Sequence, residues 1–114
     1  MKSHRDLRAW QQANAVAADV FRWSNTHWSP QLGAVHDQLR RAALSVALNI
    51  VEGFASGPGA RCRNHLKIAY GSAVETTAIL AFLQELELDT NELTDRSRHT
   101  QALTLRLWQR SRIR

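Results

Sequence analysis

The sequence predicts an all-α fold: an antiparallel up-down-up-down four-helix bundle forming one domain over residues 1–114. Three observations predict it. Apolar residues recur at spacings of three and four, with little strict alternation. Only two prolines and five glycines punctuate the chain. The breaks are short, and short connections make consecutive helices antiparallel neighbours.

The first helix is expected from about Asp6 to Trp23, where Leu7, Trp10, Ala13, Ala17, Val20 and Phe21 share a face. "SNTHWSP" ends it, with Pro30 as the breaker. The second runs from about Val35 to Glu52. Val35, Leu39, Ala42, Ala43, Val46 and Ile50 form its main face, and Leu44, Leu48 and Val51 a second one. A helix apolar on two sides predicts burial on both, by the bundle and by another subunit. Gly53 then falls at the expected left-handed cap. The third helix runs from about Arg61 to Leu86. The fourth, from about Asn91 to Arg110, follows Asp89 and Glu92 at capping-box spacing. Its apolar arc is thin: Leu93, Leu103, Leu107 and Trp108, with Thr100 and Thr104 between them.

An apolar fraction of 44% excludes a disordered chain. A single cysteine, Cys62, excludes a disulfide framework and a cysteine-based zinc site. "MKSHRDLRAW" has no apolar leader core, and no apolar run approaches the roughly 20 residues of a bilayer span. The expectation is a cytoplasmic protein with no membrane partner. No Glu-x-x-His pair occurs for a bundle metal site, and "GPG" lacks the lysine and strand of a phosphate loop. Ser45 and Ser72 have only His65 as a candidate base. No enzyme activity, metal or cofactor is expected.

The charge is +5 and mostly arginine, which binds phosphate through a two-pronged fork. The topology sorts it. Lys2, Arg5, Arg8, Arg61, Arg63, Lys67, Arg106, Arg110, Arg112 and Arg114 gather at one end, opposed there by Asp6 and Glu52. Glu85, Glu87, Asp89, Glu92 and Asp95 gather at the other. Arginines near the end of helix four suit the helix dipole. Arg61, Arg63 and Lys67 at the start of helix three do not, which favours a role in binding nucleic-acid backbone. The candidate surface is Arg61, Arg63, Lys67, Arg106, Arg110 and Arg112. No stacking platform for bases is visible, so no sequence specificity is expected.

One stretch, "QLRRAALSVALNIVEG", carries polar groups through an apolar helix: Arg41, Ser45, Asn49 and Glu52. Gly71, Ser72 and Glu75 recur likewise on helix three. Pairing the two helices about Gly57 brings Ser45 level with Ala69 to Ser72, Asn49 level with His65, and Arg41 level with Ala73 to Glu75. Glu52 and Glu75 then lie roughly 20 Å apart, too far for a catalytic pair. A structural notch is expected instead: the serines bonded together, Glu75 answering Arg41 or Arg40, and Gly71 admitting a neighbouring backbone. On that reading Glu75→Ala would destabilise the fold.

Leu7 and Trp10, the block Gln38, Leu39, Ala42, Ser45, Val46, Asn49, Ile50, Glu52 and Gly53, and the block Ala69, Gly71, Ser72 and Glu75 together resemble a known family. It is that of the four-helix-bundle proteins encoded in 23S rRNA intervening sequences, also called the S23 ribosomal protein family. The resemblance covers nearly the whole chain and loosens after about Leu88. Ala47 stands where the family often has proline, implying a straighter helix. The loop "FASGPGA" lacks the family's usual basic residues, and Thr76 alters the face after Ser72. The resemblance implies a homo-oligomer, a ring-shaped homopentamer, with no enzymatic activity. Through the accessory variability determinant of diversity-generating retroelements, a relative, it implies RNA or DNA as a partner, or a protein such as a reverse transcriptase. A scaffold that binds a protein without nucleic acid is the alternative. Trp10, Trp23 and Trp108 are candidate subunit contacts, with Trp10 better read as core.

Overall fold

A computed structural model describes residues 3–113, excepting the side chain of Asp6. Four helices pack side by side: α1 Arg8–His27, α2 Gly33–Ala55, α3 Ala60–Glu85 and α4 Asn91–Ser111. Short 3-10 turns, His4–Asp6 and Pro30–Leu32, precede α1 and α2. Consecutive helices touch, and α1 also touches α4, closing the bundle within 45 × 20 × 19 Å.

The helix periodicity predicted the elements, and the differences lie at their ends. α1 runs through "SNTH" because Thr26 donates its hydroxyl to the Trp23 carbonyl at 3.0 Å, inside the helix. Ser24 is buried and bonded, so neither residue breaks the helix. α2 continues past Gly53 to Ala55, so Gly53 is not a cap. A Cβ there would meet the Cys62 carbonyl, His65 Cβ and Leu66 Cδ2, all at 3.4 Å. Gly53 is where α2 and α3 come close, the role expected of Gly71. Gly71 has nothing within 4 Å of its Cβ direction. The N-cap residue of α4, Thr90, gives it no side-chain bond; the first helical N–H, on Asn91, donates to Asp89 Oδ1 at 3.3 Å. α3 ends with Glu87 in the left-handed region, φ 66°, and Leu88 N–H donating to the Leu83 carbonyl.

The core divides into two clusters. Leu7, Ala13, Val46, Ile50, Leu66 and Ala69 fill the basic end. Val16, Val20, Leu39, Ala43, Leu80 and Leu83 fill the other. Trp10 and Trp108 pack against the first and Trp23 against the second, so all three serve this chain's own core. Trp28 is half exposed and lies over Gly33, where a Cβ would come within 3.3 Å of its ring. α4 contributes hydroxyls rather than hydrocarbon: Thr94, Ser97, Thr100 and Thr104 are buried beside Leu93. Thr94, Thr100 and Thr104 each donate to a carbonyl one turn back, at 2.7, 3.0 and 2.6 Å.

α3 meets the length and composition for crossing a membrane, with a hydropathy of 1.3, which the residue-run argument above did not register. Here it is the central helix, its stripe of Leu66, Ala69, Ala73, Thr76 and Leu80 buried. The second apolar face of α2 is not covered within the chain: Leu44 and Leu48 are 40% and 52% exposed.

His36, fully buried, joins α1 to α2. Its Nε2 lies 3.2 Å from the His27 carbonyl, which can only accept, so Nε2 carries the proton; Nδ1 then accepts from Ser24 Oγ at 3.0 Å. Burial pushes its pKa below the usual histidine range, against the raising effect of the His27 carbonyl. Unfolded, His36 takes up a proton near pH 6.5 while the folded ring stays neutral. Stability contributed by neutral His36 is therefore complete above about pH 6.5 and falls with pH down to the folded value, by at most about 1.4 kcal/mol per pH unit. Thermal melts at pH 7.5, 6.5 and 5.5 should show Tm dropping in the parent and a shallower drop in His36→Gln.

Candidate nucleic-acid interface and the polar notch

Up-down packing brings the start of α1, the end of α2, the start of α3 and the end of α4 to one end of the bundle. Arg5, Arg8, Arg61, Lys67, Arg106, Arg110 and Arg112 are exposed there, and Arg63 is partly so. None makes an ion pair among the described residues. The other end is different. Arg96 and Arg22 hold the two oxygens of Asp19 at 2.6 and 2.7 Å, and Arg98 meets Asp95 at 3.4 Å. The hydrogen bonds from Arg96 and then Arg22 keep the Asp19 carboxyl below its usual range. Cations at the acidic end are neutralised locally; those at the basic end face water.

The six predicted binding residues do not share one flat face. Arg63 and Lys67 lie one turn apart on α3, and Arg106 and Arg110 one turn apart on α4. Arg61 is about 160° around the α3 axis from Arg63. They ring the end of the bundle. Arg112 covers the Trp108 ring at 5.4 Å, and Trp108 stacks on Tyr70 at 5.9 Å, tying the end of α4 to the body of α3. Lys2 and Arg114 lie outside the described residues.

The notch on α2 and α3 is smaller than expected and differently wired. Ser45 and Ser72 bond through their hydroxyls at 2.9 Å. Asn49 Nδ2 donates to the Ser45 carbonyl at 2.9 Å and to Ser45 Oγ at 3.0 Å. That fixes the amide, so Asn49 Oδ1 accepts from His65 Nδ1 at 3.0 Å. His65 thus binds an amide rather than a serine, and neither serine has a base. Glu75 does not answer Arg41: its carboxylate accepts from Gln38 Nε2 on the exposed surface. Arg40 pairs with Asp37 on its own helix, at 2.6 Å. Arg41 and Glu52 are exposed and take no part in the network. Because Glu75 buries nothing, the destabilisation expected of Glu75→Ala loses its basis. His65 was legible as level with Asn49, but not as the end of the chain of bonds.

A cavity of about 470 Å³ opens at the basic end, lined by Leu7, Phe54, Pro58, Cys62, Leu107 and Arg110 among others, and by neither Glu52 nor His65. Among the described residues no group of three histidine, cysteine or acidic side chains converges as a metal site would require.

These features define an all-α four-helix bundle with one basic end and a polar seam between its two central helices. Residues 5–110 match the family model of the 23S rRNA-intervening sequence protein. The chain belongs to that family. No curated protein and no solved structure matches it.

Proposed function

We propose that the protein is a non-enzymatic, oligomeric accessory factor of the cytoplasm that binds RNA or DNA backbone electrostatically through the ring of cations at its basic end. The observation that carries the reading is the contrast in pairing among the described residues: Arg22, Arg96 and Arg98 have carboxylate partners there, whereas Arg61, Arg63, Lys67, Arg106 and Arg110 have none. Leaving cations unpaired at a helix start costs stability unless an external anion meets them. Phosphate contacts without base readout fit a surface of guanidinium groups lacking a stacking platform.

The self-contact we assign to α2 and α3. Leu44, Leu48 and Ile68 are exposed there at 40%, 52% and 43%, around the bare Gly71. A glycine that costs a helix about 1 kcal/mol and touches nothing in its own chain is suited to receive a side chain from a second copy. The family resemblance suggests five copies in a ring, which would set five basic ends around one axis. The same apolar face is what favours the second reading, a scaffold for a protein partner such as a reverse transcriptase.

Fluorescence anisotropy of labelled structured RNA and duplex DNA, across a salt series, tests the first reading. Affinity should fall linearly on a log–log plot and be similar for unrelated sequences. No binding at low salt would remove it. Native mass spectrometry of the parent and Leu48→Glu tests the self-contact: the parent should run as an oligomer and the variant as a monomer. A parent that is monomeric would leave that face to a different protein.

A further inference from the structure

The cavity at the basic end has no part in the reading above. Protein interiors hold few voids larger than a water molecule. A second void, walled by Ala43, Val46, Thr76 and Thr100, holds about 10 Å³, against about 470 Å³ at the basic end. That volume falls in the range of small-molecule sites. Its wall is built to stay open. Gly57, Pro58 and Gly59 close one side, and Gly57 and Gly59 sit at φ 72° and 143°, where larger residues are strained.

The lining chemistry is narrow. Leu7, Ile50, Phe54, Leu66 and Leu107 make it apolar. The Ser111 hydroxyl is already donated to the Trp108 carbonyl at 2.6 Å. Among the described residues no carboxylate lines the cavity, and the charged group in its wall is Arg110, which makes no ion pair there. An apolar body with one anionic head matches this: burial of the tail supplies affinity, and a carboxylate can take two N–H groups from one guanidinium.

We propose that this cavity is a binding site for a free single-chain carboxylate, a medium-chain fatty acid, whose tail lies against Leu7, Phe54, Leu66 and Leu107 and whose head meets Arg110. The site shares Arg110 with the proposed nucleic-acid surface, and its test uses the full chain with no nucleic acid present. Titration calorimetry with octanoate should show saturable binding of one molecule per chain. Octan-1-ol, which lacks the charge, and the exposed-site variant Arg110→Gln should each bind at least tenfold more weakly. Cys62 is the only cysteine and lines the cavity, so octanoate should slow its reaction with a thiol reagent at least tenfold in the unmodified protein. Cys62→Phe should fill the space and abolish binding, with a thermal melt showing that it folds; if it does not fold, the thiol-protection arm decides. Absence of saturable uptake, uptake that leaves Cys62 fully reactive, or equal affinity for octanol would each overturn the proposal.

Discussion

Ile50→Ala should lower stability by about 3 kcal/mol, which in a domain of this size lowers Tm by about 10 to 15 °C. Ile50 has no exposed surface and sits at the centre of the cluster formed by Leu7, Val46, Leu66 and Ala69. The cluster also holds Ala9, Ala13, Ala69 and Ala73, whose short side chains cannot move in to refill the space, so the cavity term adds to the lost transfer energy. Thr104→Val supplies the contrast. Thr104 is equally buried, yet its hydroxyl donates to the carbonyl of Thr100 within its own helix. That carbonyl keeps its backbone partner when the hydroxyl becomes a methyl, so no orphan is created and the change should lie within about 0.5 kcal/mol, or stabilise. Chemical denaturation of both variants with unchanged m-values checks the pair. A large loss in Thr104→Val would mean that the α4 hydroxyls act between helices.

The double reversal Arg106→Glu/Arg110→Glu should weaken binding of duplex DNA about 100-fold or more at 50 mM salt. Two phosphate contacts are lost and two repulsive charges take their place. The slope of log affinity against log salt should also flatten by about 2, because each contact releases close to one counterion. Both side chains are exposed and make no ion pair among the described residues, so Tm should be unchanged. A variant of equal affinity would move the interface to Arg61, Arg63 and Lys67 on α3. Equal slopes with reduced affinity would point to damage to the assembly rather than lost phosphate contacts.

The bundle was legible because burial follows the 3.6-residue period of Leu39, Ala43, Val46 and Ile50, which local chemistry does not override. Helix ends were less so. Gly53 after a glutamate reads as a stop signal, and only the α3 backbone beside it shows that glycine serves packing there. "SNTH" reads as a break unless it is known that Ser24 and Thr26 bond into the fold. His36 escaped notice although it shares a face with Leu39 and Ala43, since a polar residue on an apolar stripe carries no mark of its partner. The notch was half readable. Register gave Ser45 with Ser72 and Asn49 with His65, but the choice of Gln38 over Arg41 as the partner of Glu75 depends on side-chain direction, which register does not contain. The cavity left no signal, being a property of what small loop residues fail to fill.

The self-bonded hydroxyls of α4 have a consequence for the order in which a growing chain can close. If α4 is absent, Thr77 keeps its bond to the Ala73 carbonyl and Asp19 its bond to Arg22. The pairing of Ser45, Asn49, Ser72 and His65, and the joint made by His36, lie wholly among α1, α2 and α3. A nascent chain that has emerged as far as Thr90 therefore already holds the polar connections of its first three helices. What it lacks is a cover for the hydrocarbon of Ala13, Val16 and Ala73. When α4 follows, Thr94, Thr100 and Thr104 are already bonded to carbonyls one turn back, and docking adds the Ser97–Thr77 and Arg96–Asp19 bonds.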